Sequence, residues 1–411
     1  MASPDKKAAI GAKGRKAKVY ELASKPLTIP GSTDRAQGQK PCAPQIHVEA
    51  VPWRDMAEGD AIVQWDALAQ WASTPNPFLE SWYLLPALRA FDPEGRVQLL
   101  RFELDGTLAG ILPLAREMRY YRHLLPQWCN WTHANCFLGA PLVAQGLEIY
   151  FWRALFGWAD RHAGHALFLH LTQLPLDGPL HEAMREVLAE QRRPAALVHR
   201  ETRAMLASDS SPEAYLEQAL SVKKRKELRR QHRRLSELGD LHFERRTDAE
   251  GIADWTEEFL WLEASGWKGR AGSALASIAG TTALFTRALQ GAAERDRLER
   301  LTLTLDGSPI AMLANFIAPP GAFSFKTAFD ERYARYSPGV LLQWENLALL
   351  ERDDIDWCDS CAAQDHPMID HLWRERRRVG RYSIAIGGPA RRTFFRAIAW
   401  AETRKLRKAL R

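Results

Sequence analysis

Apolar and polar residues follow a similar order in the two halves of the chain. LDGTLAGILPL at 104–114 and LDGSPIAMLAN at 305–315 each place Asp-Gly between two strand-like runs. This pattern is a strong signal for a β-hairpin. The segments begin at residues 104 and 305, so they are separated by about half of the 411-residue chain. We therefore predict a structural repeat.

The segments after the two hairpins also share an order. In the second half the predicted elements are the strand 323–329, the helix 340–350, the strand IDWCDS, the helix 367–377 and the strand YSIAIG. In the first half, after the irregular stretch WCNWTHANCF, they are the helix 147–159, the strand ALFLHL, the helix 181–189 and the strand AALVHR. This alternation predicts an α/β (α+β) fold with two tandem domains, each a mixed β-sheet flanked by helices.

Turn-rich and low-complexity segments predict the borders of these domains. SDSSP at 208–212 is rich in turn residues, so we expect domains over 46–208 and 209–390. Residues 1–45 have the composition of a disordered basic tail. Residues 391–411 predict a basic amphipathic helix, whose composition fits an interfacial membrane helix and equally a helix docked on its own domain.

Composition and charge narrow the setting of the protein. No apolar run reaches the roughly 18 residues that span a bilayer, and the basic N-terminus lacks the apolar segment of a secretory signal. The five cysteines do not form a disulfide framework, so we expect a cytoplasmic protein. Basic residues cluster at 1–20, 223–234 and 374–411. Such clusters attract the phosphates of nucleotides, nucleic acid or anionic lipid.

The stretch DERYARYSPGVLL joins the strand 323–329 to the following helix. A helix N-terminus offers unpaired N–H groups and the positive end of the helix dipole, which together bind phosphate. Pro338 suits the first turn, Gly339 allows an anion to approach closely, and Ser337 can cap the helix or bind a phosphate. The alternative is that Ser-Pro-Gly merely caps a buried helix.

Other residues are candidates for chemistry. On the strand before the loop, alternation places Ser324, Lys326, Ala328 and Asp330 on one face and the phenylalanines on the core face. His366 and Asp370 form H-x-x-x-D, and a histidine can act as a base at neutral pH.

The cysteines have no ligand pattern for zinc. Cys358 and Cys361 form one C-x-x-C pair, whereas a zinc site needs two such pairs at ligand spacing. We therefore expect no metal.

Several segments, in this order and spacing, resemble the GNAT acyltransferase superfamily, in particular its FemABX-like branch with two GNAT-like halves in tandem. They are SVKKRKELRRQHRRLSELG (221–239), LEASGWKG (262–269), LDGSPIAMLA (305–314), FKTAFDERYARYSPGVLL (325–342) and the strand of Asp359 followed by LW at 372–373. The resemblance covers about 46–390. The usual GNAT phosphate loop, Arg/Gln-x-x-Gly-x-Gly/Ala, is replaced here by Arg335-Tyr336-Ser337-Pro338-Gly339 with one glycine.

The resemblance implies a site in the second half. The strand 323–329 would be splayed from the next strand, with the acyl-pantetheine chain in the gap. The residues implied to bind the donor phosphates are Arg335, Ser337, Gly339, Val340 and Leu341. The implied substrate residues are Lys326, Trp267, Lys268 and Asp359. The candidate catalytic residues are His366 or Glu263 as the base, and Asp330.

The implied function is N-acyl transfer from acyl-CoA or an acyl carrier protein to an amine. The acceptor is expected to be a small molecule, an envelope precursor or a lipid such as a sphingoid base, as in bacterial ceramide synthases, with peripheral association on the inner face of an anionic membrane. Two alternatives stay open: an aminoacyl-tRNA-dependent transferase that binds tRNA through 223–234, and a non-catalytic scaffold on a membrane or RNA.

Overall fold

The computed structural model describes residues 45–409, so the predicted tail lies outside the described residues except for Gln45. The strands are β1 (Ile46–Pro52), β2 (Gln98–Leu104), β3 (Thr107–Glu117), β4 (Gln127–Asn130), β5 (Leu142–Val143), β6 (Phe168–Pro175), β7 (Ala195–Leu206), β8 (Leu241–Arg246), β9 (Leu298–Leu305), β10 (Ser308–Ala318), β11 (Gly321–Phe329), β12 (Trp357–Asp359) and β13 (Glu375–Ala385). The helices are α1 (Asp60–Gln70), α2 (Ser81–Phe91), α3 (Glu148–Arg161), α4 (Gly178–Glu190), α5 (Pro212–Ala219), α6 (Val222–Ser236), α7 (Ile252–Ser265), α8 (Trp267–Arg270), α9 (Ala279–Ala293), α10 (Pro338–Glu345) and α11 (Pro389–Ala409).

The predicted repeat and the mixed α/β fold are confirmed. Both Asp-Gly pairs form the tight turns of hairpins, β2–β3 and β9–β10. Asp105, Gly106, Asp306 and Gly307 all have positive φ, as a two-residue hairpin turn of this hand requires. In each half a hairpin is followed by a further strand, a helix and another strand.

The two halves exchange their last strands within one sheet. The strand order is β1-β2-β3-β4-β6-β13-β7-β12-β11-β10-β9-β8, with β5 paired to β3. The last strand of the second half, β13, thus lies between β6 and β7 of the first half. In turn β7 pairs with β12 of the second half. The exchange joins the halves by backbone hydrogen bonds, so neither half has a complete sheet alone.

The hydrophobic core is continuous between the halves on one face of the sheet. Phe78, fully buried before α2, packs edge-on against Phe323 of the second half at a ring-centroid distance of 5.5 Å. Phe316 and Phe325 stack on each other beside it at 4.4 Å. Aromatic pairs of this kind add stability beyond their buried area. The predicted core role of Phe323 and Phe325 is confirmed.

The predicted helix 367–377 is wrong. Residues 367–372 form turns, and the chain is already in β13 at Glu375. The arginine-rich run alternates between exposed and buried side chains, with Arg377 and Val379 buried and Arg376 and Arg378 exposed. This alternation is typical of a strand, and pairing with β7 stabilises the segment in that conformation.

The C-terminal helix α11 docks on the first half. Phe395 is 1% exposed and packs against Phe168, and Tyr120 donates a hydrogen bond to Glu402. Phe394 and Trp400 remain exposed. In the part of the chain that the structure describes, no helix is long and apolar enough to cross a membrane.

Candidate active site

A pocket opens where two neighbouring strands of the second half separate. The parallel strands β11 and β12 pair only over Gly321–Phe323 and Trp357–Asp359. Beyond these paired residues β11 continues to Phe329. The segment that follows β12 instead turns away from β11 at Cys361, which has a φ of 53°. The space between them is a pocket of about 760 Å³.

Four parts of the molecule form the walls of this pocket. They are β11, the N-terminus of α10, the turn segment 360–369, and α8 together with Phe137 of the first half. The pocket is therefore built mainly on the second half and completed by one loop of the first.

A β-bulge in β11 changes the direction of the side chains in the pocket. Ser324 pairs with Asn315 and Lys326 with Ala314, so Phe325 is the extra residue. Because Ala314 and Asn315 are adjacent, Ser324 and Lys326 point to opposite faces. The predicted shared face for Ser324, Lys326, Ala328 and Asp330 is therefore wrong. Ser324 Oγ accepts a hydrogen bond from Gln343 of α10 (3.2 Å), while Lys326 turns towards the first half.

The N-terminus of α10 lies at the pocket and has one free backbone donor. Ser337 is the N-cap in a left-handed conformation (φ 55°), and its carbonyl accepts from the N–H groups of Val340 and Leu341. Gly339 N donates to no acceptor among the described residues, and the first turn contains no acidic side chain. The partial positive charge of this helix N-terminus is therefore not neutralised by an acidic side chain of its first turn.

The helix end is partly covered. Pro338 and Gly339 are buried, and a Cβ at position 339 would lie 2.9 Å from Met368 Sδ. Ser337 and Val340 are partly exposed to the pocket. A ligand therefore approaches this end beside Met368, through Ser337 and Val340.

The basic helix α6 packs against the same loop. Gln231 Nε2 donates to the Arg335 carbonyl (3.1 Å) and to Ser337 Oγ (3.2 Å). The Ser337 side chain is therefore held by α6 and does not cap α10. Arg335 is exposed, with its guanidinium 4.6 Å from the Tyr336 ring centre, and it does not line the pocket.

Lys326 is the most enclosed cation of the pocket. Its Nζ donates to Asn135 Oδ1 (2.8 Å) and lies 5.1 Å from the ring centre of Phe137 and 5.4 Å from that of Phe325. Burial, reinforced by the charge of Lys268, lowers the pKa of Lys326 to about 8.

His366 lines the pocket from the turn segment. Its Nδ1 is buried and has no hydrogen-bond partner among the described residues. Burial and then Lys268 lower its pKa, an effect that Asp370 partly opposes. The Asp370 carboxylate accepts from Arg376 (3.3 Å) and not from the imidazole. His366 is thus a neutral base candidate at pH 7 whose ring is not oriented by a carboxylate.

Glu263 lies behind the pocket wall. It is 5% exposed, accepts from Lys268 Nζ and from the backbone N–H of Leu275 (2.7 Å each), and does not line the pocket. With both carboxylate oxygens engaged, Glu263 positions Lys268, which does line the pocket together with Trp267.

Comparison with known proteins agrees with this geometry. Residues 222–367, which include β8 to β12 and most of the pocket, match the family model described as an acetyltransferase (GNAT) domain. This part of the chain is therefore similar to GNAT acetyltransferase domains. No curated protein matches its sequence.

Solved structures share the fold of both halves. FemX has a TM-score of 0.52 at 10% identity, and the match covers 82% of this chain and 98% of that one. A conserved protein of unknown function from Bacteroides thetaiotaomicron VPI-5482 has a TM-score of 0.50 at 11% identity, over 79% and 97% of the two chains. At such identities the likeness shows the fold alone: a tandem GNAT, FemABX-like arrangement. The GNAT domain supports an N-acyltransferase enzyme.

Besides Arg335 and Glu263, three further residues predicted for the GNAT site lie outside this pocket. Asp330 accepts from Arg332 and faces a separate pocket of about 610 Å³ beside Trp261. Burial would raise the pKa of Asp330, but the bonds from Arg332 outweigh it and lower the pKa. Leu341 is in the core. Asp359 is fully buried and accepts from Arg203 (2.7 Å) and Arg377 (3.0 Å), so it joins β12 to β7 and β13.

The sequence reasoning missed residues that line this pocket or hydrogen-bond to its lining residues. These include Asn135 and Phe137 from the irregular aromatic stretch of the first half, Gln231 from α6, and Met368. The only sequence signal for the first two was a segment rich in aromatic residues without a strand or helix period. Among the residues described, no group of three or more His, Cys, Asp or Glu side chains could hold a metal.

Proposed function

We propose that this protein transfers an acyl group from a CoA-type thioester to an amine in the pocket between β11 and β12. The observation that carries the proposal is the separation of these strands beyond Phe323 and Asp359, directly beside the N-terminus of α10. A thioester arm fits along the open edge of a strand, and its diphosphate fits a helix N-terminus.

The donor would extend from α10 towards the bulge. Its phosphates would meet Ser337, the free N–H of Gly339 and Val340, with Arg335 and the cations of α6 at the outer side. Backbone N–H groups of β11 that face the gap beyond Phe323 would polarise the thioester carbonyl, because β12 no longer pairs with β11 there.

The transfer needs one proton acceptor. The protonated amine first loses one proton to His366. The neutral nitrogen then attacks the carbonyl carbon, forming the C–N bond, the C–S bond breaks, and the leaving thiolate takes up the second proton lost by the nitrogen. Lys268 and Trp267 would wall the acceptor side, with Glu263 holding Lys268 in place.

One feature supports a different acyl donor, and another supports a location of the protein at a membrane. The basic helix α6 contacts the phosphate loop through Gln231, so it could also take a tRNA acceptor end as part of an aminoacyl-tRNA-dependent reaction. On α11, the exposed Phe394 and Trp400 among basic residues suit contact with an anionic membrane, where a lipid or envelope-precursor amine would reside.

A thermal-shift panel with CoA, long-chain acyl-CoA, acyl carrier protein and tRNA tests the proposal, because a ligand that binds the native state raises the Tm. We expect CoA and acyl-CoA to stabilise the protein, and Gly339→Ala to reduce that shift. Stabilisation by tRNA and not by CoA would replace the donor, and no response to any of the four would favour a scaffold.

A further inference from the structure

The pocket between β11 and β12 is rich in basic side chains. Among the described residues that line it, the basic ones are Lys268, Lys326 and His366, and none is Asp or Glu. An acceptor amine is protonated near pH 7, and the charge of Lys326 repels a simple cation. The charge of the site therefore favours an acceptor that also brings negative charge.

Lys326 and Lys268 differ in how their charge is balanced. Lys268 Nζ lies 2.7 Å from Glu263 Oε1 and is neutralised by it. Lys326 forms no salt bridge with any described carboxylate; its polar partner is the uncharged amide of Asn135. A buried ammonium without a counter-charge is costly, and a ligand anion removes that cost.

The surroundings of Lys326 hold its amine in place. Asn135 Oδ1 takes one of its three protons, and the rings of Phe137 and Phe325 flank it at 5.1 and 5.4 Å. Asn135 is itself buried and fixed, since its carbonyl accepts from Tyr83 Oη (2.5 Å). The remaining N–H groups are thus preorganised towards the pocket.

Lys326 and the region proposed for the donor phosphates contact different parts of the molecule. It faces residues 135–137 of the first half, whereas the N-terminus of α10 is in contact with α6. A donor diphosphate at α10 therefore leaves Lys326 without an anion.

We propose that Lys326 is the binding site for an anionic group, a carboxylate or a phosphate, on the acceptor substrate. The inference rests on the proposed acyl transfer for the meaning of "acceptor", but the anion site itself can be tested without turnover. The acceptor would then be an amine that carries an acid group, such as an amino-acid-like or phosphorylated amine, and not a polyamine.

The test is chemical protection of Lys326 in the wild-type protein. Acetic anhydride modifies neutral amines, and the pKa of about 8 leaves enough neutral Lys326 to react at pH 8. Peptide mass spectrometry would follow the rate at Lys326, with the exposed Lys223 as internal control. Glutarate, its uncharged analogue glutaramide and inorganic phosphate would be compared at equal ionic strength.

We expect glutarate or phosphate to slow modification of Lys326 at least fivefold, with no effect of glutaramide and no change at Lys223. The more effective anion identifies the acid group. Equal rates with all three additives, or equal protection by glutaramide, would overturn the proposal. The protection should persist in Lys268→Met and with CoA present; a failure of CoA to bind would contradict the proposed donor while leaving this result independent.

Discussion

Each half of the molecule has a gap between two parallel strands, and this gap is filled in the first half and open in the second. In the first half the parallel strands β4 and β6 pair only at Trp128–Leu169 and Cys129–His170, as briefly as β11 and β12 do in the second. There the chain fills the gap itself. Asn130 bonds to the backbone of Thr172 and to the Gly139 carbonyl, and Gly139 N donates to Gln173 (2.9 Å).

The N-termini of the helices beside the two gaps also differ: an acidic side chain occupies the one in the first half but not the one in the second. The first turn of α3 holds Glu148, whose carboxylate accepts from Gly146 N, so this end is occupied by its own anion. The first turn of α10 has no acid, and no acceptor in the described part of the chain takes the Gly339 N–H. A repeated fold has thus kept one open gap, and the loop that closes the other also supplies Phe137 to the open pocket.

The largest expected effect comes from reopening the closed gap. A Cβ at position 139 would lie 2.2 Å from the Thr172 carbonyl oxygen, which is backbone and cannot move freely. Gly139→Ala should therefore lower the free energy of unfolding by about 3 kcal/mol in urea titrations. Gly388→Ala, where nothing lies within 4 Å, is the control. A Gly139→Ala protein as stable as this control would show that the first gap is not tightly closed.

The open half should carry the chemistry through His366. His366→Gln keeps a polar side chain but removes the base, so we expect about a 100-fold loss of acyl transfer, measured as CoA release. The exposed His371, which does not line the pocket, provides the matched variant His371→Gln with unchanged turnover. Equal rates for the two variants would remove His366 from the mechanism.

The pH profile sharpens the role of the same residue. Burial and Lys268 lower the pKa of His366, so its neutral, proton-accepting form is already present at pH 7. Activity should be flat near neutrality and fall about tenfold per pH unit once the pH drops below this lowered pKa. The fall should be absent from the residual activity of His366→Gln. A fall that persists there belongs to another group.

The substitution Gly339→Ala tests the open N-terminus of α10, as Gly139→Ala tests the closed gap of the first half. An alanine here meets the flexible Met368 side chain, so stability should change by less than about 1 kcal/mol. The added methyl group crowds the free N–H, and CoA should bind about tenfold more weakly by calorimetry. Unchanged affinity would place the phosphates elsewhere.

The smallest expected effect concerns the support of the loop by α6. Gln231→Ala removes both hydrogen bonds to the Arg335–Ser337 segment and should weaken CoA about threefold. His232→Ala, at an exposed neighbouring position on α6, should leave the affinity unchanged. Matching losses in the two variants would indicate a general charge or helix effect and not loop support.

Particular elements explain what the sequence could reveal. The Asp-Gly hairpins and the order of strands and helices are local patterns, so the tandem fold could be predicted from them. The bulge at Phe325 could not, because nothing in SFKTAF marks an extra residue and only pairing with β10 reveals it. The wall at Asn135 and Phe137 depends on contacts about 190 residues apart in sequence. The arginine-rich run 374–378 suits helix or strand, and β7 decides between them.

Hydrogen exchange of the wild-type protein with and without CoA tests the central contrast most directly. The account predicts slower exchange at 324–329 in β11 and at 339–341 in α10, with no change at the N-terminus of α3, residues 147–151. Protection at α3, or no protection at either helix end under saturating CoA, would contradict the assignment of the donor site to the open gap of the second half.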